Sequence, residues 1–66
     1  METGRNERLR SARQQAGLSQ QQLADAVDAT RQTIGLIEAG RYNPSLKLCL
    51  GICKALGCTL DDLFWE

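Results

Sequence analysis

The chain predicts an all-α fold, a compact domain of five short helices occupying residues 1–66. Three observations predict it. Gly17, Gly40 and Gly57 each close a stretch with helical spacing of apolar residues, and each is followed within a few residues by Ser or Thr, the residue types that open helices. Apolar residues recur at i, i+3 and i+4 between those punctuation marks. No Asn-Gly or Asp-Gly hairpin signal occurs, and no alternation of strand period is sustained.

The first helix is expected from Asn6 to Ala16, with Leu9, Ala12 and Ala16 on its inner stripe and arginines around the rest. The second opens at Ser19, whose hydroxyl caps free amides while Gln22, three residues on, completes a capping box. Leu23, Ala24 and Val27 form its inner face. Asp28 and Ala29 turn the chain, and Thr30 caps a third helix with Ile34 and Ile37 pointing inward. Arg41 to Pro44 is a loop. Ser45 caps the fourth helix, which carries Leu46, Cys49, Leu50, Cys53 and Leu56 at helical spacing. Leu48 and Ile52 add a second stripe, so this helix is either central to the domain or covered by another chain. Thr59 caps a last short helix, with Asp61 and Asp62 suited to the helix dipole and Leu60, Leu63 and Phe64 buried.

Several functions are excluded early. No apolar run approaches the length of a membrane span. Met1 to Arg10 is polar, without the apolar core of a signal peptide, which predicts a cytoplasmic protein. The chain has no His, and Cys49, Cys53 and Cys58 form an odd set without a CxxC pair, so neither a zinc site nor any cofactor is expected. The cysteines read as small buried hydrophobes in a reducing compartment. No nucleophile–base pair or metal cluster is present, and so small a domain lacks room for a substrate pocket; the chain does not read as an enzyme.

The second helix, its short turn and the third helix have the arrangement of a helix-turn-helix spanning about residues 19–39. With Ile34 and Ile37 inward, Arg31 and Gln32 lie exposed at the front of the third helix, where Arg suits guanine and Gln suits adenine in a major groove. Thr33 adds a hydroxyl or meets a thymine methyl, and Leu36 offers an apolar contact. Arg41, Tyr42 and Asn43, just after that helix, are competent phosphate partners, although Asn43 also suits the turn before Pro44. Arg5, Arg8 and Arg10 read as a solvated face, with a phosphate contact by any one of them as the alternative. Eight basic residues balance eight acidic ones. That predicts a shallow salt dependence, with about two to four phosphate contacts per subunit.

The stretches Gly17-Leu18-Ser19-Gln20-Gln21-Gln22-Leu23-Ala24, Thr30-Arg31-Gln32-Thr33-Ile34 and Ile37-Glu38-Ala39-Gly40-Arg41-Tyr42-Asn43-Pro44-Ser45 resemble the Cro and lambda-repressor type (XRE) helix-turn-helix family. The closing Ala55-Leu56-Gly57-Cys58-Thr59-Leu60-Asp61-Asp62-Leu63-Phe64 is similar to that family's last helix pair, so the likeness runs from about Asn6 to Phe64. It implies a lambda-repressor-like fold and a sequence-specific transcriptional regulator that binds double-stranded DNA. It also implies that Gln20 bonds a phosphate and braces the recognition helix, with Ser19 and Thr30 beside it at the helix starts. Glu38 is implied to pair with Arg13 inside the fold.

A homodimer on a palindromic operator is expected, its recognition helices about 34 Å apart in successive major grooves. The second stripe of the fourth helix and the terminal Leu63, Phe64 and Trp65 supply the expected dimer interface, although Trp65 folded back on its own domain is the alternative. A different class of function fits the same apolar surplus: a protein-interaction module or antitoxin-type partner of another polypeptide.

Overall fold

The computed structural model describes residues 6–64. They form α1 (Glu7–Gln15), α2 (Gln20–Ala26), α3 (Arg31–Glu38), α4 (Leu46–Leu56) and α5 (Leu60–Leu63). Local chemistry sets every start. Asn6 Oδ1 accepts from the Leu9 amide at 3.0 Å, so Asn6 caps α1 rather than beginning it. Ser19 and Gln22 form the expected reciprocal box, with Ser19 Oγ accepting from the Gln22 amide at 3.0 Å and the Ser19 amide donating to Gln22 Oε1 at 2.8 Å. Thr30 and Ser45 cap α3 and α4 at 3.1 Å. Thr59 and Asp62 form a second box, an exchange that the sequence reading had assigned only to the helix dipole.

The stops matter as much. Gly57 closes α4 at φ +69, a left-handed conformation in which a Cβ is strained. α2 ends differently: Asp28 takes φ +60, and the Ala29 amide returns to the Ala24 carbonyl at 2.9 Å. Asp is among the few side chains that tolerate this region, and its use here lets two helices meet across a turn without glycine.

Leu9, Leu23, Ala24, Ile34, Ile37, Ile52, Cys53 and Leu63 make one core, with Ala12, Leu18, Val27, Leu48, Leu56, Cys58, Leu60 and Phe64 packed around it. α1 packs against α3 and α5, and α4 against α2 and α5. Among the described residues no helix is long and apolar enough to cross a membrane.

Three expectations are corrected. α1 stops one residue earlier than its apolar stripe suggested, so Ala16 is an exposed cap and Arg13 takes the inward place. On α4 the buried face is Cys49, Ile52 and Cys53, while Leu46 and Leu50 are 61% and 50% exposed. Ile52, expected on the outer stripe, is therefore fully enclosed. Leu63, expected at a dimer interface, is 2% exposed and belongs to the monomer's core, because α5 is a single turn and must turn its one inward face to α1 and α4. Phe64 is half-buried against that core, and Trp65 lies outside the described residues.

Gly51, inside α4, faces Val27 of α2. A Cβ built there meets Val27 Cγ1 at 3.8 Å and Val27 Cβ at 3.9 Å, ordinary contact distances. Gly51→Ala is therefore expected to stabilise the domain by about 0.5–1 kcal/mol through helix propensity. Thermal melting should show a rise of roughly 2–8 °C.

Candidate nucleic-acid interface

The geometry of the site begins with how α3 is held. Its inner face, Ile34 and Ile37, lies on Leu23 and Ala24 of α2 within the core. Glu38 continues that face and is 7% exposed, a position where an unpaired carboxylate would be costly. It is fully partnered. Arg13 Nε donates to Glu38 Oε2 at 2.7 Å, and Arg13 Nη2 to Glu38 Oε1 at 3.3 Å. Gln20 Nε2 adds a third bond to Glu38 Oε1 at 3.1 Å. Arg13 Nη1 donates onward to the Leu18 carbonyl at 2.8 Å. One polar network thus joins α1, the α1–α2 turn, the start of α2 and the end of α3. Among the described residues no buried side-chain nitrogen or oxygen is left without a partner. The backbone reinforces it, since the Asn6 amide donates to the Glu38 carbonyl at 2.9 Å.

With its back fixed, α3 presents its front. Arg31 and Gln32 are exposed, and Thr33 and Leu36 are half-buried. Thr33 is less free than the sequence suggested, because its hydroxyl lies 2.9 Å from that of Thr30. Thr30 already accepts the Thr33 amide, so the pair forms a small polar knot at the helix start.

The residues expected on phosphates fall into two groups. Ser19 and Gln20 line an open cleft of about 720 Å³ between α1, the start of α2 and α3. Ser19 is exposed; Gln20 is half-buried, with one amide hydrogen committed to Glu38 and its remaining polar capacity facing the cleft wall beside Gly35. Arg41, Tyr42 and Asn43 are exposed in the extended segment after α3. The Arg41 amide is held by the Leu36 carbonyl at 2.9 Å, which fixes where that segment leaves the helix. The Gln20 bond to Glu38 brings the first group to the end of α3, from which the second group leaves.

The cleft also contains groups that sequence reasoning left on a solvated face. Arg10 of α1 lines it together with Glu7, Gln21 and Arg31. The available signal was Arg10's place one turn before Arg13 on the same flank of α1. Arg8 points elsewhere, its Nη1 donating to the Asp61 carbonyl at 3.1 Å.

The cysteines offer no chemistry at this surface. Burial pushes the Cys49 thiol above its ordinary value of 9.0. Burial, then the neighbouring Cys49, Cys58 and Asp62, does the same for Cys53. Both remain neutral thiols at neutral pH. Among the described residues no group of three or more metal-ligating side chains comes together.

Comparison with known proteins gives a consistent result. A helix-turn-helix family profile, HTH_3, matches residues 9–63. An uncharacterized HTH-type transcriptional regulator of Bacillus subtilis, YgzD, is 45% identical over 58 residues, covering 88% of each chain. An uncharacterized HTH-type transcriptional regulator of Methanothermobacter thermautotrophicus is 47% identical over 57 residues, covering 85% of this chain and 83% of that one. The restriction-modification controller protein C.AhdI of Aeromonas hydrophila has a similar structure, with a TM-score of 0.83 at 37% identity over 89% of each chain. So does the clp gene regulator ClgR of C. glutamicum, with a TM-score of 0.81 at 32% identity over 86% of this chain and 73% of that one. The pairing of a braced α3 with an exposed polar front, on a chain whose matched segment includes every core residue described, identifies it as a member of the HTH_3 (XRE, Cro and lambda-repressor-like) family of DNA-binding, non-enzymatic transcriptional regulators.

Proposed function

We propose that the protein is a sequence-specific regulator that acts as a homodimer on a palindromic operator. The observation that carries the reading is the exposure of Arg31 and Gln32 at the front of a helix whose opposite face is locked by Ile34, Ile37 and Glu38. Long hydrogen-bonding side chains at that place reach base edges when the helix enters a major groove. Thr33 and Leu36 complete the reading edge; Ser19, Gln20, Thr30, Arg41, Tyr42 and Asn43 hold the flanking phosphates and set the register.

Dimerisation is supported by Leu46 and Leu50, one turn apart on α4, and by nearby Tyr42 in sequence, the large hydrophobic side chains left exposed among the described residues. Covering them with a second copy removes apolar surface from water and puts a two-fold axis beside α4. The same side chains favour a second reading, in which α4 docks a different polypeptide, as an antitoxin or interaction module would.

The experiment is selection of bound sequences from a random duplex pool by the purified chain, with sedimentation of the resulting complex. A palindrome bound by two copies supports the homodimer; enrichment of an asymmetric site bound by one copy contradicts it. Arg41→Gln is expected to weaken all duplexes evenly and reduce the slope of log K against log salt by about 0.9. Fluorescence anisotropy across a salt series checks it.

A further inference from the structure

We propose that Arg10 of α1 is a DNA-backbone contact, and that the cleft between α1 and α3 seats one operator phosphate at Arg10, beside the base-reading Arg31. This rests on the regulator reading above and adds a helix outside the helix-turn-helix to the binding surface.

The arginines of the described chain have different fates. Arg13 is locked to Glu38 and the Leu18 carbonyl, and Arg8 is tied to the Asp61 carbonyl of α5. Arg10 and Arg31 make no side-chain hydrogen bond or ion pair among the described residues, yet both line the same cleft. Three arginines and two glutamates face it, giving a net charge of +1. Glu38 is neutralised within the network by Arg13, and Glu7, the other carboxylate on this wall, has an interaction of its own.

The remaining lining suits a phosphodiester rather than an apolar ligand. Ser19, Gln20 and Gln21 supply hydroxyl and amide groups, and Gly35 contributes no side chain, which leaves the α3 wall low. The cleft is open along α3, the helix whose front reads bases. A duplex that accepts α3 in its groove brings its backbone past the flank of that helix, where Arg10 and Arg31 stand. Arginine is well matched to such an anion because its planar fork donates two parallel hydrogen bonds.

The test uses the full chain and the duplex obtained by selection. Arg10→Gln should lower affinity about eightfold at 0.1 M salt and reduce the salt slope by about 0.9, the loss of one phosphate contact. Base preference should not change, and Arg10→Lys should restore most of the slope. Arg8→Gln is the control, with the wild-type slope expected. Arg10 is exposed, so melting followed by circular dichroism should place Arg10→Gln within a few degrees of wild type. An unchanged slope in Arg10→Gln, while Arg41→Gln lowers it, would overturn the proposal and leave the regulator reading intact. A changed base preference in Arg10→Gln would overturn it too, by making Arg10 a reader of bases. Failure of the wild-type chain to enrich any duplex would instead remove the regulator reading itself. Inorganic phosphate at millimolar concentration should not displace the duplex beyond its effect on ionic strength; specific displacement would mean a free-anion site instead.

Discussion

Glu38→Ala is expected to destabilise the domain by about 3–5 kcal/mol, because it leaves the Arg13 guanidinium buried without its counter-charge. Both side chains are nearly enclosed, 10% and 6% exposed, so solvent does little to screen the loss. The substitution also deprives Gln20 of its acceptor. A chain of 66 residues has only about 3–10 kcal/mol of stability in total, so Glu38→Ala should forfeit a large share of it at 25 °C. Urea denaturation followed by circular dichroism measures it. The pair need not be a net stabiliser, since apolar replacements of both members are often tolerated. The double substitution Arg13→Met with Glu38→Met is therefore expected to recover much of the loss instead of doubling it. Additive losses in the two single variants and the double would show that the two side chains act independently.

Ile52→Ala carries the second large effect, about 2–5 kcal/mol, from lost burial and the cavity left in a packed core. Leu50→Ala, two residues earlier on the same helix, should cost the monomer less than about 1 kcal/mol, because Leu50 is half exposed and Ile52 is not. The contrast is sharpened by Leu50→Glu, which should leave the monomer folded while abolishing self-association, read by sedimentation equilibrium. If Leu50→Ala destabilises the monomer as much as Ile52→Ala does, α4 is rotated relative to the orientation described here.

The orientation of α4 shows where sequence reasoning runs out. The helix starts were legible because each is written in local chemistry: Ser19, Thr30, Ser45 and Thr59 hydrogen-bond amides only three residues away. The outward face of α4 was not legible in the same way. Leu46, Leu48, Leu50, Ile52 and Leu56 are all apolar, so the pattern offers two stripes and only tertiary packing against α2 and α5 chooses between them. Asp28 was placed in a turn but not in the left-handed region, since Asp permits that conformation without requiring it. In the site, family likeness supplied Glu38 and Arg13 as an internal pair, and the structure places them so. The Gln20 bond to Glu38 joined a residue expected on phosphate to that internal network. Arg10 reads first as solvated because a charged residue on an amphipathic helix ordinarily is, and only the approach of α3 makes a cleft of that face.

The central claim is that the front of α3 reads base edges through Arg31 and Gln32, each worth about 1–3 kcal/mol of discrimination when paired bidentately. The most direct measurement is parallel selection from one random duplex pool with the wild-type chain, Arg31→Ala and Gln32→Ala, at a single salt concentration. Each variant should lose preference at its own position in the half-site while keeping the wild-type sequence elsewhere. Enrichment of the unaltered wild-type site by both variants would contradict the claim and move base recognition off this helix.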